Sequence, residues 1–129
     1  MFSRAPKKVN RNNSNQTLGF QGEELAVNYL KKKGFKIKKR NFRTRWGEID
    51  IVAQKGDHTH FVEVKTRTSD AFGHPLESLP FYRLERLKKM ALLYAAQFSL
   101  MENRLHLSLL GINWAGPEPE YFFVEDIIS

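Results

Sequence analysis

The stretch Gly47-Glu48-Ile49-Asp50-Ile51-Val52-Ala53, followed by Phe61-Val62-Glu63-Val64-Lys65, decides the reading of this chain. Both segments are rich in β-branched residues and alternate apolar with charged positions, as half-buried strands do. Between them Lys55-Gly56-Asp57-His58 is a turn signal, and Gly at the first central position suits a type II′ hairpin turn. Strand side chains alternate between faces. Ile49, Ile51 and Ala53 are therefore expected on one face, and Glu48, Asp50 and Val52 on the other. In the second strand Val62 and Val64 share a face, opposite Phe61, Glu63 and Lys65. A two-residue turn pairs Lys55 with His58, which predicts Gln54 opposite Thr59, Val52 opposite Phe61, Asp50 opposite Glu63 and Glu48 opposite Lys65.

That register carries the chemistry. Directly opposed residues bring their Cβ atoms to about 4.5–5.5 Å, and like charges at that distance destabilise a sheet unless something neutralises them. A hard divalent cation, Mg²⁺ or Mn²⁺, takes oxygen ligands and would neutralise Asp50 and Glu63. Lys65, on the same face, adds positive charge to the same spot. Glu23 borders the apolar stripe of a helix and is expected to lean toward the sheet as a further ligand or water-positioning group. The alternative for Glu23 is a first-turn acid that stabilises the helix dipole. Glu48 reads as structural, an ion-pair partner for Lys65. The competing reading of the whole hairpin is a solvated face of scattered Lys and Glu.

Outward from the hairpin, residues 17–33 have a helical period, with Leu18, Gly22, Leu25, Ala26, Tyr29 and Leu30 on one stripe. Lys31, Lys32 and Lys33 before Gly34 make a good helix stop. Phe35 and Ile37 alternate with lysines as in a strand with one wet face. A loop is expected from Arg67 to Pro80, a helix over 81–100, a strand over 105–114 and a short strand over 121–124. The order implies an α/β or α+β sandwich around one small sheet.

The 129 residues make one domain. Residues 1–16 are polar and basic with no apolar period, and read as a disordered arm before a single domain at 17–129. With no cysteine, disulfides, cysteine nucleophiles and cysteine-ligated zinc are excluded. No apolar run approaches the roughly 20 residues of a membrane span, and no signal-peptide core is visible, so a cytoplasmic location is expected. His58 and His60 flank the turn without a third ligand nearby in sequence, and His74 and His106 stand isolated, so all four read as structural.

Net charge is +7, which points to a polyanion partner. Residues 31–45 carry nine Lys or Arg and no acid, with Phe35, Phe42 and Trp46 in and beside the run. Lys36, Lys38, Lys39, Arg40, Arg43 and Arg45 are expected phosphate contacts, with Phe35 and Phe42 in the core. Arg67, just past the second strand, is placed to touch the reacting phosphate. The acidic stretch 118–126 reads as a solvated terminal strand.

Asp50 followed by Glu63-Val64-Lys65 resembles the PD-(D/E)XK nuclease signature. With Gly22-Glu23, Gly34, Arg40-Asn41, Gly47-Glu48-Ile49-Asp50, Phe61 to Arg67, Gly73 and Pro75 in order, the chain resembles the YraN-like family of the restriction-endonuclease-like fold. That family is similar in layout to archaeal Holliday-junction resolvases. The resemblance implies a mixed central sheet flanked by helices, with Asp50, Glu63, Lys65 and Glu23 as the active site and Asp50, Glu63 and Glu23 as metal ligands. Where the family often has Lys near the start of the second helix, this chain has Arg83. The implied activity is metal-dependent hydrolysis of DNA phosphodiesters, with branched or repair intermediates among the substrates. Nucleases of this fold often dimerise, which makes a homodimer an expected arrangement. Two other readings remain: a non-catalytic nucleic-acid-binding protein that keeps the fold, and a basic face that meets an acidic protein.

Overall fold

The computed structural model describes residues 14–68, 79–101 and 104–127. Most of the expected N-terminal arm, and Gly73, His74 and Pro75 of the expected loop, lie outside the described residues. The elements are α1 (Ser14–Lys32), β1 (Lys36–Thr44), β2 (Gly47–Lys55), β3 (His58–Arg67), α2 (Phe81–Gln97), β4 (Leu105–Asn113) and β5 (Glu120–Val124). The helix already includes Ser14–Gln16, which the polar composition had assigned to the arm.

The strands form one mixed sheet in the order β1-β2-β3-β4-β5. β3 and β4 are parallel and the other pairs antiparallel. A parallel pair needs a crossover, and α2 supplies it. One face of the sheet packs on α1 through Ala26, Val27 and Leu30 against Ile51, Ala53, Val62, Leu110 and Ile112. The other packs on α2 through Leu87, Met90, Ala91 and Tyr94 against Ile49, Val52, Phe61 and Leu107. The result is an α/β sandwich consistent with a restriction-endonuclease-like core. Ile51, Val52, Phe61 and Leu110 have no exposed surface, and each such side chain contributes about 1.5–3 kcal/mol by burial.

Local signals fix the element ends. Gly34 has φ +94° and closes α1 with Gly34 N–H to Lys31 O (3.0 Å) and Phe35 N–H to Leu30 O (2.9 Å), the paired bonds of a left-handed C-cap. The same device ends α2 at Ser99, with φ +56° and Leu100 N–H to Ala95 O at 2.9 Å. This is why α2 stops short of the expected Leu100. Gly56, at φ +63°, makes the hairpin turn. The expected pairs Lys55↔His58, Gln54↔Thr59 and Val52↔Phe61 all form.

β1 shifts register between Ile37 and Lys39, and strict alternation fails again at the level of Asp50. Ile49 was expected to share a face with Ile51, but it packs on the α2 side with Val52 while Ile51 packs on the α1 side. The β2–β3 ladder runs from Lys55↔His58 to Ile51↔Val62 and does not continue to Asp50↔Glu63. The β1–β2 ladder steps from Arg40↔Ile51 to Phe42↔Ile49 and passes over Asn41 and Asp50. Asn41 lies there with φ +51°, a conformation that Asn tolerates better than most residues. Both strands reverse sidedness together. Arg40 reaches α1, where it pairs with Glu24 at 2.6 Å, whereas Phe42 packs on the α2 side. Irregularities of this kind re-aim side chains and recur beside active sites.

Candidate active site

The reversal at Asp50 releases its carboxylate from the ladder. Its Oδ2 accepts the Val64 N–H at 2.8 Å, occupying the donor that a regular neighbour would have taken. Glu48 comes to the same side, and α1 presents Glu23 from above. Ligand oxygens of Glu23, Glu48 and Asp50 lie within 4.8 Å of one another. Glu23 reaches this point because α1 crosses β3 without a side chain at Gly22. A Cβ there would fall 2.0 Å from Thr66 Oγ1, so only glycine lets the helix approach so closely. With its amide nitrogen turned toward the acids, Asn41 donates to Glu23 Oε1 (3.3 Å) and Glu48 Oε2 (3.2 Å).

The electrostatics follow from crowding. Burial, then the charges of Asp50 and Glu48, push Glu23 up to about 7. Burial raises Asp50 too, with Glu48 adding to the rise; the Val64 N–H, Arg83 and Lys65 oppose it. Glu63 is raised by burial and by the Asp50 charge, and is lowered by Arg83 and Lys65. Asp50 thus stands between two groups of acids, Glu23 and Glu48 on the α1 side and Glu63 toward α2.

Glu63 is buried in β3 and its carboxylate accepts from the Arg83 guanidinium of α2. Lys65 lies two residues on in β3 and lowers both Asp50 and Glu63 by its charge. Glu48 does not pair with Lys65 as expected. The face reversal turns it toward Glu23, and Arg43 Nε takes its Oε1 at 3.2 Å. The sequence reading therefore missed Glu48 and Arg83 as members of the site, and Asn41 as its brace. The Glu48 signal was present, because Glu48 and Asp50 are two residues apart in one strand.

The expected phosphate contacts lie mainly on β1, an edge strand. Lys36, Lys38, Lys39 and Arg43 are exposed, as is Arg45 just beyond it, whereas Arg40 and Arg67 are half-buried. Phe35 is buried and Phe42 half-buried, as expected. Trp46 is exposed, with Arg45 over its ring at 4.8 Å and Lys89 at 3.8 Å. Beside it Arg43, Arg45, Trp46, Glu48 and Arg86 line an open depression of about 350 Å³ next to the acids. Among the described residues no helix is long and apolar enough to cross a membrane.

A mixed sheet between two helices, with acids gathered where its second strand leaves the ladder, places the chain among restriction-endonuclease-like proteins. Residues 22–110 match the model described as "Uncharacterised protein family UPF0102". The chain belongs to that family, the YraN-like family. It is 55% identical over 80 residues to a UPF0102 protein of Syntrophomonas wolfei, covering 62% of this chain and 70% of the relative. It is 44% identical over 96 residues to one of Thermodesulfovibrio yellowstonii, covering 74% and 85%. Against one of Rhodococcus opacus it is 37% identical over 113 residues, covering 87% and 96%.

Proposed function

We propose that this protein is a metal-dependent endonuclease that hydrolyses DNA phosphodiester bonds, with branched or recombination and repair intermediates as its substrates. The observation that carries the reading is the meeting of Glu23, Glu48 and Asp50 from a helix and a strand, with ligand atoms within 4.8 Å. The donor set is all oxygen, and burial with neighbouring charge raises Glu23 and Asp50, which fits a hard divalent ion such as Mg²⁺ or Mn²⁺. Glu23, Glu48 and Asp50 would hold the ion, with Glu63 completing the set once it exchanges Arg83 for the metal. Such an ion, when bound, polarises a phosphate and lowers the pKa of water.

The remaining groups act on the substrate. Lys65 sets an ammonium beside Asp50 and Glu63, where it orients a water and offsets charge that builds on the phosphate. Arg83, released when Glu63 turns to the metal, adds a second cation. The lysines and arginines of β1, with Arg45 beyond it, track the backbone, and Trp46 offers an exposed ring for a base.

A non-catalytic nucleic-acid-binding role is favoured by one observation: Arg83 occupies the Glu63 carboxylate. Linear, branched and single-stranded DNA incubated with Mg²⁺ or Mn²⁺ separates the two readings. Cleavage that Asp50→Ala and Lys65→Ala abolish supports the nuclease. Salt-sensitive binding without cleavage, unchanged by Asp50→Ala, supports the scaffold.

A further inference from the structure

The acids do not account for a second polar cluster, on the α1 face near the start of β3. The parallel register sets His60 opposite His106. Their rings stack at 4.4 Å, and the His58 ring adjoins His106 at 4.9 Å. His60 is buried, not turn-exposed, and His106 is not isolated. The chain beyond β5 folds back, Ile127 N–H donating to Leu107 O at 2.9 Å. This brings Glu125 and Asp126 over the imidazoles, with Asp126 in the left-handed region at φ +56°.

We propose that His60, His106 and Glu125 form a second metal site, of imidazole–carboxylate chemistry, that takes Zn²⁺ or a similar first-row divalent ion rather than Mg²⁺. Their ligand atoms lie within 4.8 Å of one another. An ion with bonds of roughly 2.0–2.1 Å needs these atoms to close by about 1 Å and the stacked His60 and His106 rings to tilt so that their lone pairs converge. The hydrogen bonds already present are compatible with the tautomers such a site needs. His106 Nδ1 lies 2.7 Å from Asp126 Oδ1, and donating its N–H to that carboxylate leaves the lone pair on Nε2. His60 Nδ1 meets Ser108 Oγ at 3.2 Å, and donation there leaves Nε2 as its ligand atom. A carboxylate behind a ligating histidine is the usual outer support of a zinc site. His58 Nδ1, 2.7 Å from His106 Nε2, donates to that lone pair, and it becomes a fourth ligand only after its proton moves to His58 Nε2.

The surroundings suit the exchange. Phe35 meets His60 edge-on at 4.9 Å and shields it. Lys55, over the Phe35 ring at 5.2 Å, sets a positive charge near His60, and Asp126 acts on His60 in the opposite sense. Imidazole nitrogen selects this site against Mg²⁺, just as oxygen selects the acids for it. The ion would join β3, β4 and the chain beyond β5, three segments far apart in sequence.

The test uses the full, untagged chain titrated with Co²⁺ and, through a competing chromophoric chelator, with Zn²⁺. One equivalent of Co²⁺ is expected to give the visible absorption of a four-coordinate N/O site, unaffected by excess Mg²⁺ and by Asp50→Asn. His106→Gln should abolish it, Glu125→Gln should weaken binding at least tenfold, and Asp126→Asn should weaken it about 10–100-fold. Circular dichroism checks that each variant folds. If His106→Gln does not, the exposed Glu125→Gln decides alone. No uptake by the wild type, uptake that Asp50→Asn removes, or uptake that both His106→Gln and Glu125→Gln leave unchanged would overturn the proposal. None of these outcomes depends on nuclease activity.

Discussion

The strand β3 carries two polar clusters that handle charge in opposite ways. Toward its end Glu63 and Lys65 lie near Asp50, beyond which lie Glu23 and Glu48, and burial with neighbouring negative charge raises Glu23, Asp50 and Glu63. Toward its start, His58, His60 and His106 are linked to Ser108 and Asp126 by hydrogen bonds of 2.7–3.2 Å. The first cluster is held in place against its own repulsion; the second is satisfied from within. Groups that repel one another in a folded protein cost stability, so their persistence points to work done when a cation arrives. The imidazoles gain nothing comparable from an ion until they release a bond they already have. On the two proposals made above, the acids near the end of β3 would take a hard ion and the imidazoles near its start a first-row ion.

The contrast can be pressed at several points. Lys65→Ala should lower DNA cleavage by a factor of about 10²–10³, the range for removing one charge-stabilising group. It should leave Co²⁺ uptake by the imidazoles untouched. Single-turnover kinetics measure the first, and a spectrum the second. Equal loss at both ends would mean that the two clusters are one.

Next in size is Gly22→Ala. The new methyl group meets Thr66 and forces α1 off the sheet, costing about 1–3 kcal/mol in urea unfolding. Thr66→Ala should restore part of that, since it removes the Oγ1 that the methyl strikes. Because α1 carries Glu23, cleavage should fall more than stability does, while the imidazole end stays as it was.

Titration gives the two ends opposite signs. Glu23 is held at about 7 against 4.5. In the metal-free protein its contribution to stability is present below pH 4.5 and is lost as pH rises through 7. Burial and the neighbouring His106 hold His60 at about 4 against 6.5, so its contribution is present above pH 6.5 and lost as pH falls through 4. The two slopes partly cancel in a wild-type melt, and the difference from a variant separates them. In a chelator, the Tm of Glu23→Gln relative to wild type should rise by about 5 °C from pH 5 to pH 8. That shift corresponds to ~1 kcal/mol once the half-exposed position of Glu23 is discounted. A flat difference would show that Glu23 ionises freely.

The smallest effect belongs to the satisfied end. Ser108→Ala removes the partner of His60 Nδ1 in a fully buried position, and should cost about 0.5–1.5 kcal/mol in denaturant unfolding with no change in cleavage.

Much of this arrangement was legible in the residues. Gly34 and the lysines before it marked the end of α1, and Gly56-Asp57 fixed a hairpin register that holds from His58 to Val62. Asp50, Glu63 and Lys65 stood out as charges between β-branched neighbours. What alternation could not show was its own interruption. Asn41 and Asp50 look like ordinary strand positions, and only their common absence from the ladder reveals that Ile49 has changed face. The histidine cluster was hidden for another reason. His60 and His106 meet through a parallel pairing whose crossover contains α2, and no local pattern encodes that register. Arg83 reaches Glu63 across the same crossover.

The reversals at Asn41 and Asp50 form a matched pair. Because both neighbours turn over at the same level, Phe42 and Ile49 still reach the α2 core together. Straightening one strand alone would drive an apolar side chain outward and a charged one inward, so neither kink can be lost singly without breaking the packing of the other. Substitutions at these two positions should therefore be strongly non-additive. A lineage that abandoned the acids would have to iron out both strands at once or keep a crease with nothing left to serve.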